Sequence, residues 1–173
     1  MNRRLVAATI AGLLVTVLGC NFGRSASPSP EKPVETATDQ PPASSGFSLV
    51  VLHPSDGDLA GLLAAHAARA IEMGRRPFVE VSAEWCPSCV ALDNSLTDDL
   101  MVDAFEGTYL VRLDIDEWSS RLPGTGFRVL GVPTFFEVGE DGMPTGRVLT
   151  GAAWGEDIPE NMAPCLKEFY NGQ

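Results

Sequence analysis

The chain has 173 residues, enough for one domain of ordinary size with additional segments, and 45% of them are apolar. Its formal charge is −11 and it has no cluster of basic residues, which argues against binding nucleic acid or an anionic lipid surface through charge. The four cysteines are too few and too unevenly spaced for a small domain held together by disulfides.

The N-terminus has the pattern of an export signal. Two arginines precede an apolar run of 14 residues, Leu5–Leu18, which is shorter than the about 20 residues that a membrane-spanning helix needs. The run ends in Val17-Leu18-Gly19-Cys20. This resembles a bacterial lipobox, whose cysteine receives a diacylglycerol and becomes the first residue after cleavage. We therefore predict a signal peptide at 1–19 and lipidation of Cys20. The alternative is an ordinary signal peptide that leaves Cys20 as a free thiol.

Residues 20–46 are predicted to be the lipid-attachment cysteine and a disordered linker. From residue 24 onwards the segment is rich in Ser, Pro, Thr and Ala, and it lacks the hydrophobic periodicity from which a core could form. Such a tether would hold a domain away from a membrane. We expect the folded domain at 47–173, exported to the bacterial cell envelope and facing the periplasm or another extracytoplasmic space.

Hydrophobic periodicity and turn signals predict, in chain order, strand, helix, strand, helix, strand, short helix, strand, strand and helix. The bounds assigned to them, leaving out the short helix, are Phe47–Leu52, Leu59–Ile71, Pro77–Ala83, Cys86–Phe105, Thr108–Ile115, Thr134–Val138, Arg147–Thr150 and Ile158–Tyr170. The long helix is predicted to break near Ser95–Thr97, with Thr97 as the cap of its second segment. This order predicts an α/β fold, a mixed central sheet flanked by helices on both faces.

The segment Trp85-Cys86-Pro87-Ser88-Cys89 lies where a predicted buried strand leads into a helix. A cysteine at a helix N-terminus faces unpaired backbone N–H groups and the positive end of the helix dipole, which favour the thiolate. The thiolate is the nucleophile of disulfide exchange, and a second cysteine one turn later can attack the mixed disulfide. We therefore assign Cys86 as the attacking cysteine and Cys89 as the resolving one.

Several motifs in the same order resemble the thioredoxin family, from Phe78 to about Phe169. They are the lead-in Val81–Trp85, the third-strand pattern Arg112–Asp116, the segment Gly131-Val132-Pro133-Thr134, a glycine at position 151, and Leu166–Phe169 in the closing helix. The resemblance implies a thioredoxin fold and a redox-active Cys86–Cys89 pair. It departs from the family at Pro87-Ser88, which replaces a Gly-Pro that contributes to setting the redox potential.

The resemblance also implies catalytic roles for Glu80 and Pro133. Glu80 lies six residues before Cys86, where thioredoxins have a buried Asp and disulfide isomerases a Glu. A carboxylate buried there can accept the proton of Cys89, and burial would raise its pKa. Strand alternation leaves open that Glu80 points to solvent instead. Pro133 is expected to be cis and to leave the backbone beside it free to pair with a client chain; a trans proline ending a loop is the alternative.

Client contacts are expected around the two cysteines. The positions assigned to substrate binding are Trp85, Pro87, Ser88, Val132 and Gly151. Trp85 would offer an apolar surface, and Gly151 would border the groove. The alternative for Trp85 is a plain core residue, whose conformation would need only burial.

The remaining histidines and the last cysteine are predicted to have no catalytic role. His53 and His66 are the only histidines, and neither falls where copper-carrying members of this fold place theirs, so no metal site is expected. His66 is predicted to be a half-buried histidine with a satisfied hydrogen bond. Cys165, in the last helix, is predicted to be a buried, inert thiol.

The resulting hypothesis is a thiol–disulfide oxidoreductase outside the cytoplasm that reduces protein disulfides. No nicotinamide or flavin site is visible, so electrons would come from a membrane thiol–disulfide partner rather than a bound cofactor. A disulfide oxidase or isomerase on the same fold is the first alternative. A non-catalytic client-binding module or a metal carrier is the alternative of another class.

Overall fold

The computed structural model of the chain describes residues 46–172. The predicted signal peptide, Cys20 and all but the last residue of the predicted linker lie outside the described residues. The strands are β1 (Ser48–Leu52), β2 (Arg76–Ser82), β3 (Thr108–Asp114), β4 (Thr134–Val138) and β5 (Pro144–Thr150). The helices are α1 (Leu59–Glu72), α2 (Pro87–Ser95), α3 (Asp99–Ala104), α4 (Ile115–Trp118) and α5 (Pro159–Asn171). Within 46–172, none of these helices has the length and apolar character needed to span a membrane.

The five strands form one mixed sheet in the order β1-β3-β2-β4-β5. Strands β1 and β2 both pair with β3 in parallel, whereas β4 is antiparallel to β2 and β5 is antiparallel to β4. Strand β2 is therefore central and covered on both faces, and its residues 78–82 are all buried. The chain leaves β2 at its carboxyl end and enters α2 there, which places the cysteine motif at that edge of the sheet.

The sheet separates two apolar layers, one on each face. The first lies between the sheet, α1 and α4 and includes Leu59, Leu63, Val79, Val81, Tyr109, Val111, Leu113 and Trp118. The second lies beneath α2, α3 and α5 and includes Phe78, Leu92, Met101, Leu110, Phe135, Met162, Leu166 and Phe169. The predicted mixed sheet with helices on both faces is confirmed.

The predicted long helix is interrupted where expected, but by a different cap. Helix α2 ends at Ser95. The N-cap of α3 is Asp98, whose side-chain Oδ1 accepts from the Leu100 N–H at 2.9 Å. The assignment of Thr97 as the cap is therefore wrong. Neighbouring Thr and Asp side chains are both competent caps, and only the extended backbone at Asp98 decides between them. Strand β5 also begins earlier than predicted, because Pro144 pairs with Val138.

The turn between β4 and β5 packs directly on α1. Gly142 has φ +75°, and a Cβ there would lie 2.5 Å from the Leu63 carbonyl carbon and 2.6 Å from the Ala64 nitrogen. We expect Gly142→Ala to destabilise the domain through both backbone strain and this overlap. Gly124→Ala is the matched control, since Gly124 has φ +86° but open space around its Cα.

Both variants carry the cost of an L-residue at positive φ, about 1–2 kcal/mol. Gly142→Ala should lose a further 1–3 kcal/mol or so because the added methyl group meets backbone atoms that cannot yield locally. Urea unfolding followed by circular dichroism measures both free energies. Equal losses in the two variants would show that the hairpin does not press on α1.

Candidate active site

Cys86 lies at the first turn of α2, at the end of the central strand. It is the N-cap of the helix, and its Sγ accepts from the Cys89 backbone N–H at 3.2 Å. Pro87 occupies the first helical position, where its missing N–H costs no intrahelical hydrogen bond. The Cys86 thiol also donates to the Val132 carbonyl oxygen at 3.4 Å. The nucleophile is thus held between a helix N-terminus and the loop before β4.

Cys89 is more deeply buried than Cys86, with 1% of its surface exposed against 5%. Both are free thiols. Burial, assisted by the hydrogen bond with Cys86, raises the pKa of Cys89 to about 12. Near neutral pH this thiol therefore keeps its proton, and it can become a nucleophile only if a neighbouring group removes that proton.

Glu80 is the carboxylate buried beneath this site. Glu80 is 0% exposed, so the alternative in which its side chain points to solvent is wrong. In the register of β2 with β3 it lies opposite Arg112. Arg112 Nε donates to Glu80 Oε2 at 3.0 Å, and a second guanidinium nitrogen lies 3.0 Å from the same oxygen. Burial raises the pKa of Glu80 above its ordinary value, and Arg112 opposes that rise.

Asp93 belongs to the same cluster and was not found from the sequence. It lies on α2 four residues after Cys89, and its Oδ1 is 2.6 Å from the Arg112 guanidinium. Arg112 therefore bridges a fully buried carboxylate and a half-exposed one. The spacing from Cys89 is a usable signal, since residues four apart on a helix share a face, but nothing in the sequence pairs Asp93 with an arginine on β3.

The loop before β4 forms one wall of a groove beside Cys86. The Val132–Pro133 peptide bond is cis, so the alternative of a trans proline is wrong. Gly151 donates its N–H to the Pro133 carbonyl at 2.9 Å. A Cβ on Gly151 would lie 2.8 Å from Pro133 Cδ and 3.2 Å from Trp154 Cζ2. Val132, Pro133 and Gly151 thus line one groove, which contains a cavity of about 330 Å³.

Two exposed apolar side chains are neighbours of site residues in the sequence: Trp85 directly precedes Cys86, and Leu130 lies close before the groove residue Val132. Trp85 is 65% exposed and its Nε1 donates to Asp116 Oδ2 at 2.7 Å, so the alternative of a core tryptophan is wrong. Leu130, two residues before Val132, is 96% exposed. Its exposure was missed because a leucine in a loop carries no pattern that separates a buried residue from an exposed one. Both side chains offer apolar surface beside the nucleophile.

Ser88, between the cysteines, is hydrogen-bonded to the loop that precedes α5. Its hydroxyl donates to Asp157 Oδ2 at 2.7 Å, and Trp154 Nε1 donates to the other carboxylate oxygen at 2.9 Å. Asp157 thus joins the start of α2 to the segment that precedes α5. The Ser88 hydroxyl, assigned to client binding, is engaged in this contact. The separation of 69 residues between Ser88 and Asp157 explains why the sequence offered no signal for it.

Neither histidine nor Cys165, all predicted to have no catalytic role, is among the residues that line the groove beside Pro133. His66 is half-buried and pairs through Nδ1 with the Tyr109 hydroxyl at 2.8 Å, as expected. His53 is exposed and contacts Glu117 at 2.9 Å. Cys165 is only partly buried, not fully buried as predicted, because the α5 face that carries it borders a cavity of about 370 Å³. Among the described residues, no three His, Cys, Asp or Glu side chains group as metal ligands.

The reduced protein should lose stability as the pH rises from 9 towards 12. A thiol in the unfolded chain ionises near pH 9.0, whereas Cys89 in the fold keeps its proton up to about pH 12. The unfolded state binds fewer protons in this window, so the free energy of unfolding should fall by up to about 1.4 kcal/mol per pH unit. Urea unfolding of the reduced protein at several pH values above 8 measures this slope.

Cys89→Ala is the control for this slope. Burial also raises the pKa of Tyr170, and that residue contributes to the slope of both proteins equally. The difference between the two slopes therefore belongs to Cys89. Identical slopes in the wild type and in Cys89→Ala would show that the folded thiol ionises as readily as an unfolded one.

The topology and the site together define the class of fold. A mixed sheet in the order β1-β3-β2-β4-β5, a C-x-x-C motif at the N-terminus of the helix after the central strand, and a cis-proline before β4 constitute the thioredoxin fold. The chain has this fold, and the fold class predicted from the sequence is confirmed.

Comparisons with known proteins give distant likenesses. No protein-family model matches the chain, and no curated protein matches it. Among solved structures, Trxlp from Edwardsiella tarda EIB202 is 21% identical, covering 69% of this chain and 98% of that one, with a TM-score of 0.46. A disulphide isomerase from Xylella fastidiosa Temecula1 is 18% identical, covering 70% and 95%, with a TM-score of 0.49. The oxidised thioredoxin from Plasmodium falciparum is 15% identical, covering 71% and 99%, with a TM-score of 0.45.

Proposed function

We propose that this chain is a thiol–disulfide oxidoreductase that works outside the cytoplasm and reduces disulfides of client proteins. The observation that carries the proposal is the position of Cys86: its sulfur caps α2, accepts the Cys89 N–H at 3.2 Å, and lies 3.4 Å from the Val132 carbonyl at the groove. A helix N-terminus stabilises a thiolate, and the groove brings an extended client within reach of it.

The reaction has two exchange steps. Cys86 thiolate attacks one sulfur of a client disulfide, forms a mixed disulfide, and releases the other client sulfur as a thiolate that takes a proton from solvent. Cys89 then loses its proton and attacks the Cys86 sulfur, which releases the second client thiolate and leaves the Cys86–Cys89 disulfide. The client gains two electrons and the cysteine pair loses two.

The groove residues have distinct parts in this reaction. Trp85 supplies exposed apolar surface next to the nucleophile. Val132 and Gly151, on either side of Pro133 in the groove, present backbone groups to an extended client. Pro87 and Ser88 form the start of α2 between the two sulfurs, so they border any mixed disulfide. Glu80 serves as the proton acceptor for Cys89.

The reduced state has to be restored by an electron donor. We propose a membrane thiol–disulfide protein for this role, with the chain held at the membrane through a lipid on Cys20. The support is the N-terminal sequence, in which an apolar run ends at Leu18, two residues before Cys20. Metabolic labelling with a radioactive fatty acid in the bacterial host, compared between the wild type and Cys20→Ser, tests the anchor. Equal labelling of the two proteins, or none in either, would refute it.

The equilibrium redox potential of the Cys86–Cys89 pair tests the direction of electron flow. Titration of the purified chain against dithiothreitol and glutathione should give a potential of about −250 mV or lower, close to the reducing members of this fold. A value of about −150 mV would make the protein a donor of disulfides, which is the oxidase or isomerase alternative. Absence of a reversible couple would refute the oxidoreductase proposal and leave a client-binding or metal-carrying module.

A further inference from the structure

Asp157 connects the first turn of α2 to the wall of the groove. The Ser88 hydroxyl donates to Asp157 Oδ2 at 2.7 Å, and the Trp154 indole N–H donates to Asp157 Oδ1 at 2.9 Å. Trp154 is buried. A Cβ on Gly151 would lie 3.2 Å from the Trp154 ring and 2.8 Å from Pro133 Cδ. One carboxylate oxygen is therefore held by the segment between the cysteines and the other by the side chain that packs under the groove.

The Asp157 carboxylate lies at the helix end that carries the Cys86 sulfur. Cys86 is the N-cap of α2 and Ser88 is the second residue of the helix, so both side chains belong to its first turn. Unpaired N–H groups and the helix dipole make this end favourable for anions. A Cys86 thiolate and the Asp157 carboxylate therefore share one helix end, where two like charges oppose each other.

The charge of Asp157 is not balanced by an ion pair within 46–172. Its two hydrogen-bond donors, a hydroxyl and an indole N–H, are neutral. None of the ion pairs found among these residues includes Asp157. Asp157 and Ser88 are both half-buried, so solvent screens this charge less than it would at an open surface. An unbalanced negative charge is thus fixed at the first turn of α2.

We propose that Asp157 is a positioning residue whose charge makes the Cys86–Cys89 pair more reducing. The carboxylate disfavours the Cys86 thiolate of the reduced protein, whereas neither sulfur is charged in the oxidised protein. The equilibrium therefore shifts towards the disulfide, in which the pair has given two electrons and two protons to an oxidised partner and has formed the bond between its sulfurs. This inference rests on the proposed function and gives a reason for its direction, the reduction of client disulfides.

The contacts of Asp157 allow its charge to be separated from its hydrogen bonds. Asp157→Asn removes the charge, and the new amide can accept from Trp154 through its oxygen while its nitrogen donates to the Ser88 hydroxyl. Ser88→Ala does the reverse, because it removes the contact with α2 while Trp154 still holds the charged carboxylate. Asp141→Asn is the matched control. Asp141 is exposed, its Oδ1 accepts from the Met143 N–H at 2.9 Å, and it lies in the turn between β4 and β5, at the opposite end of β4 from the groove.

The test is the redox equilibrium of each protein with dithiothreitol and with glutathione at neutral pH. The purified full-length chain carries Cys20→Ser and Cys165→Ser in every case, so that only the Cys86–Cys89 pair reacts. Acid quenching, alkylation of free thiols and mass spectrometry of the intact protein give the fraction oxidised. The equilibrium constant for oxidation of the dithiol is compared between this parent protein and the three variants.

Asp157→Asn should lower the equilibrium constant for oxidation about 3- to 10-fold, the scale of one charge at a helix terminus. For a two-electron couple this corresponds to a potential about 14 to 30 mV higher. Ser88→Ala should change the constant about twofold or less, because the charge stays in place. Asp141→Asn should agree with the parent protein, because the influence of a charge on a helix end falls off within the first turn.

An Asp157→Asn protein shifted no more than Asp141→Asn would overturn the proposal. A shift in Ser88→Ala as large as that in Asp157→Asn would also overturn it, because the contact and not the charge would then set the equilibrium. Should Asp157→Asn not fold, Asp157→Ser removes the same charge with a smaller side chain, and the same decrease is expected.

The parent protein tests the proposed function separately. A parent potential in the range of disulfide donors, with the Asp157→Asn shift still present, would refute the reducing direction and leave the role of Asp157 standing. A parent potential in the reducing range, with no shift in Asp157→Asn, would refute the role of Asp157 alone. A parent protein without a reversible couple would refute both.

Discussion

Cys89→Ser should convert the protein into a trap that holds client chains on Cys86 as mixed disulfides. Cys86 keeps its place at the N-terminus of α2 and can still attack a client, but no second sulfur remains to release it. Cys86→Ser should hold few clients and should lower turnover on the order of 10³-fold or more, the scale on which an enzyme loses activity with its nucleophile. Acid quenching of cells, alkylation and non-reducing electrophoresis measure the trapped species.

Cys165→Ser serves as the control for this experiment. Its thiol is half-buried, lies against the Ala153 carbonyl at 3.8 Å, and is not among the residues that line the groove. It should therefore trap no clients and should turn over as the wild type does. Equal trapping by the Cys86 and Cys89 variants would contradict the roles assigned to the two sulfurs.

The second large effect is expected at the buried ion pair. Arg112→Leu should destabilise the domain by about 3–5 kcal/mol, because it leaves the Glu80 carboxylate buried without a counter-charge. Glu80 is fully buried and Arg112 is 13% exposed, so solvent replaces little of the lost interaction. Urea unfolding near neutral pH measures the loss. A decrease below about 1 kcal/mol would show that Arg112 does not compensate Glu80.

The stability loss in Arg112→Leu should depend on pH, and the pKa of Glu80 determines in which direction. Burial raises the pKa of Glu80 in the folded protein above the unfolded value of 4.5. The stability linked to this group is therefore complete below pH 4.5 and is lost as the pH rises through the folded pKa. Removing Arg112 removes the group that opposes the shift, so the defect of Arg112→Leu should shrink as the pH falls towards 4.5.

Two variants serve as controls for the ion pair. Combining Arg112→Leu with Glu80→Gln should recover much of the stability, because no buried charge then remains uncompensated. Asp93→Asn removes the half-exposed partner of Arg112 and should cost only about 0–1 kcal/mol, as exposed pairs do. A double variant no more stable than Arg112→Leu would point to lost packing by the arginine side chain instead.

Much of the fold was predictable because its signals are local. Strands and helices were found from runs and periodicities of apolar residues, and the structure places their ends within a few residues of the predicted bounds. The interruption of the long helix followed from a polar stretch near Ser95, although choosing between Thr97 and Asp98 as the cap needed the backbone itself.

The chemistry of the site was partly predictable for the same reason. A cysteine pair one helical turn apart at a strand-to-helix junction is a local pattern, and it placed Cys86 and Cys89 where the structure has them. The predicted cis geometry at Pro133 came from the resemblance of its neighbours to a known motif. The roles of these residues in catalysis remain predictions until the trapping and redox experiments are done.

The sequence by itself determined the order of elements, the central buried strand and the position of the dithiol, because these depend on residues close together in the chain. Only the tertiary structure decided that Glu80 faces inward, that Arg112 and Asp93 accompany it, and that Ser88 is bound to Asp157. The alternation of residues along a strand assigns side chains to the two faces of the sheet. When both faces are covered, it does not identify the polar group that a buried side chain will contact. Those partners come from other strands and helices, up to 69 residues away in these contacts, and packing alone brings them together.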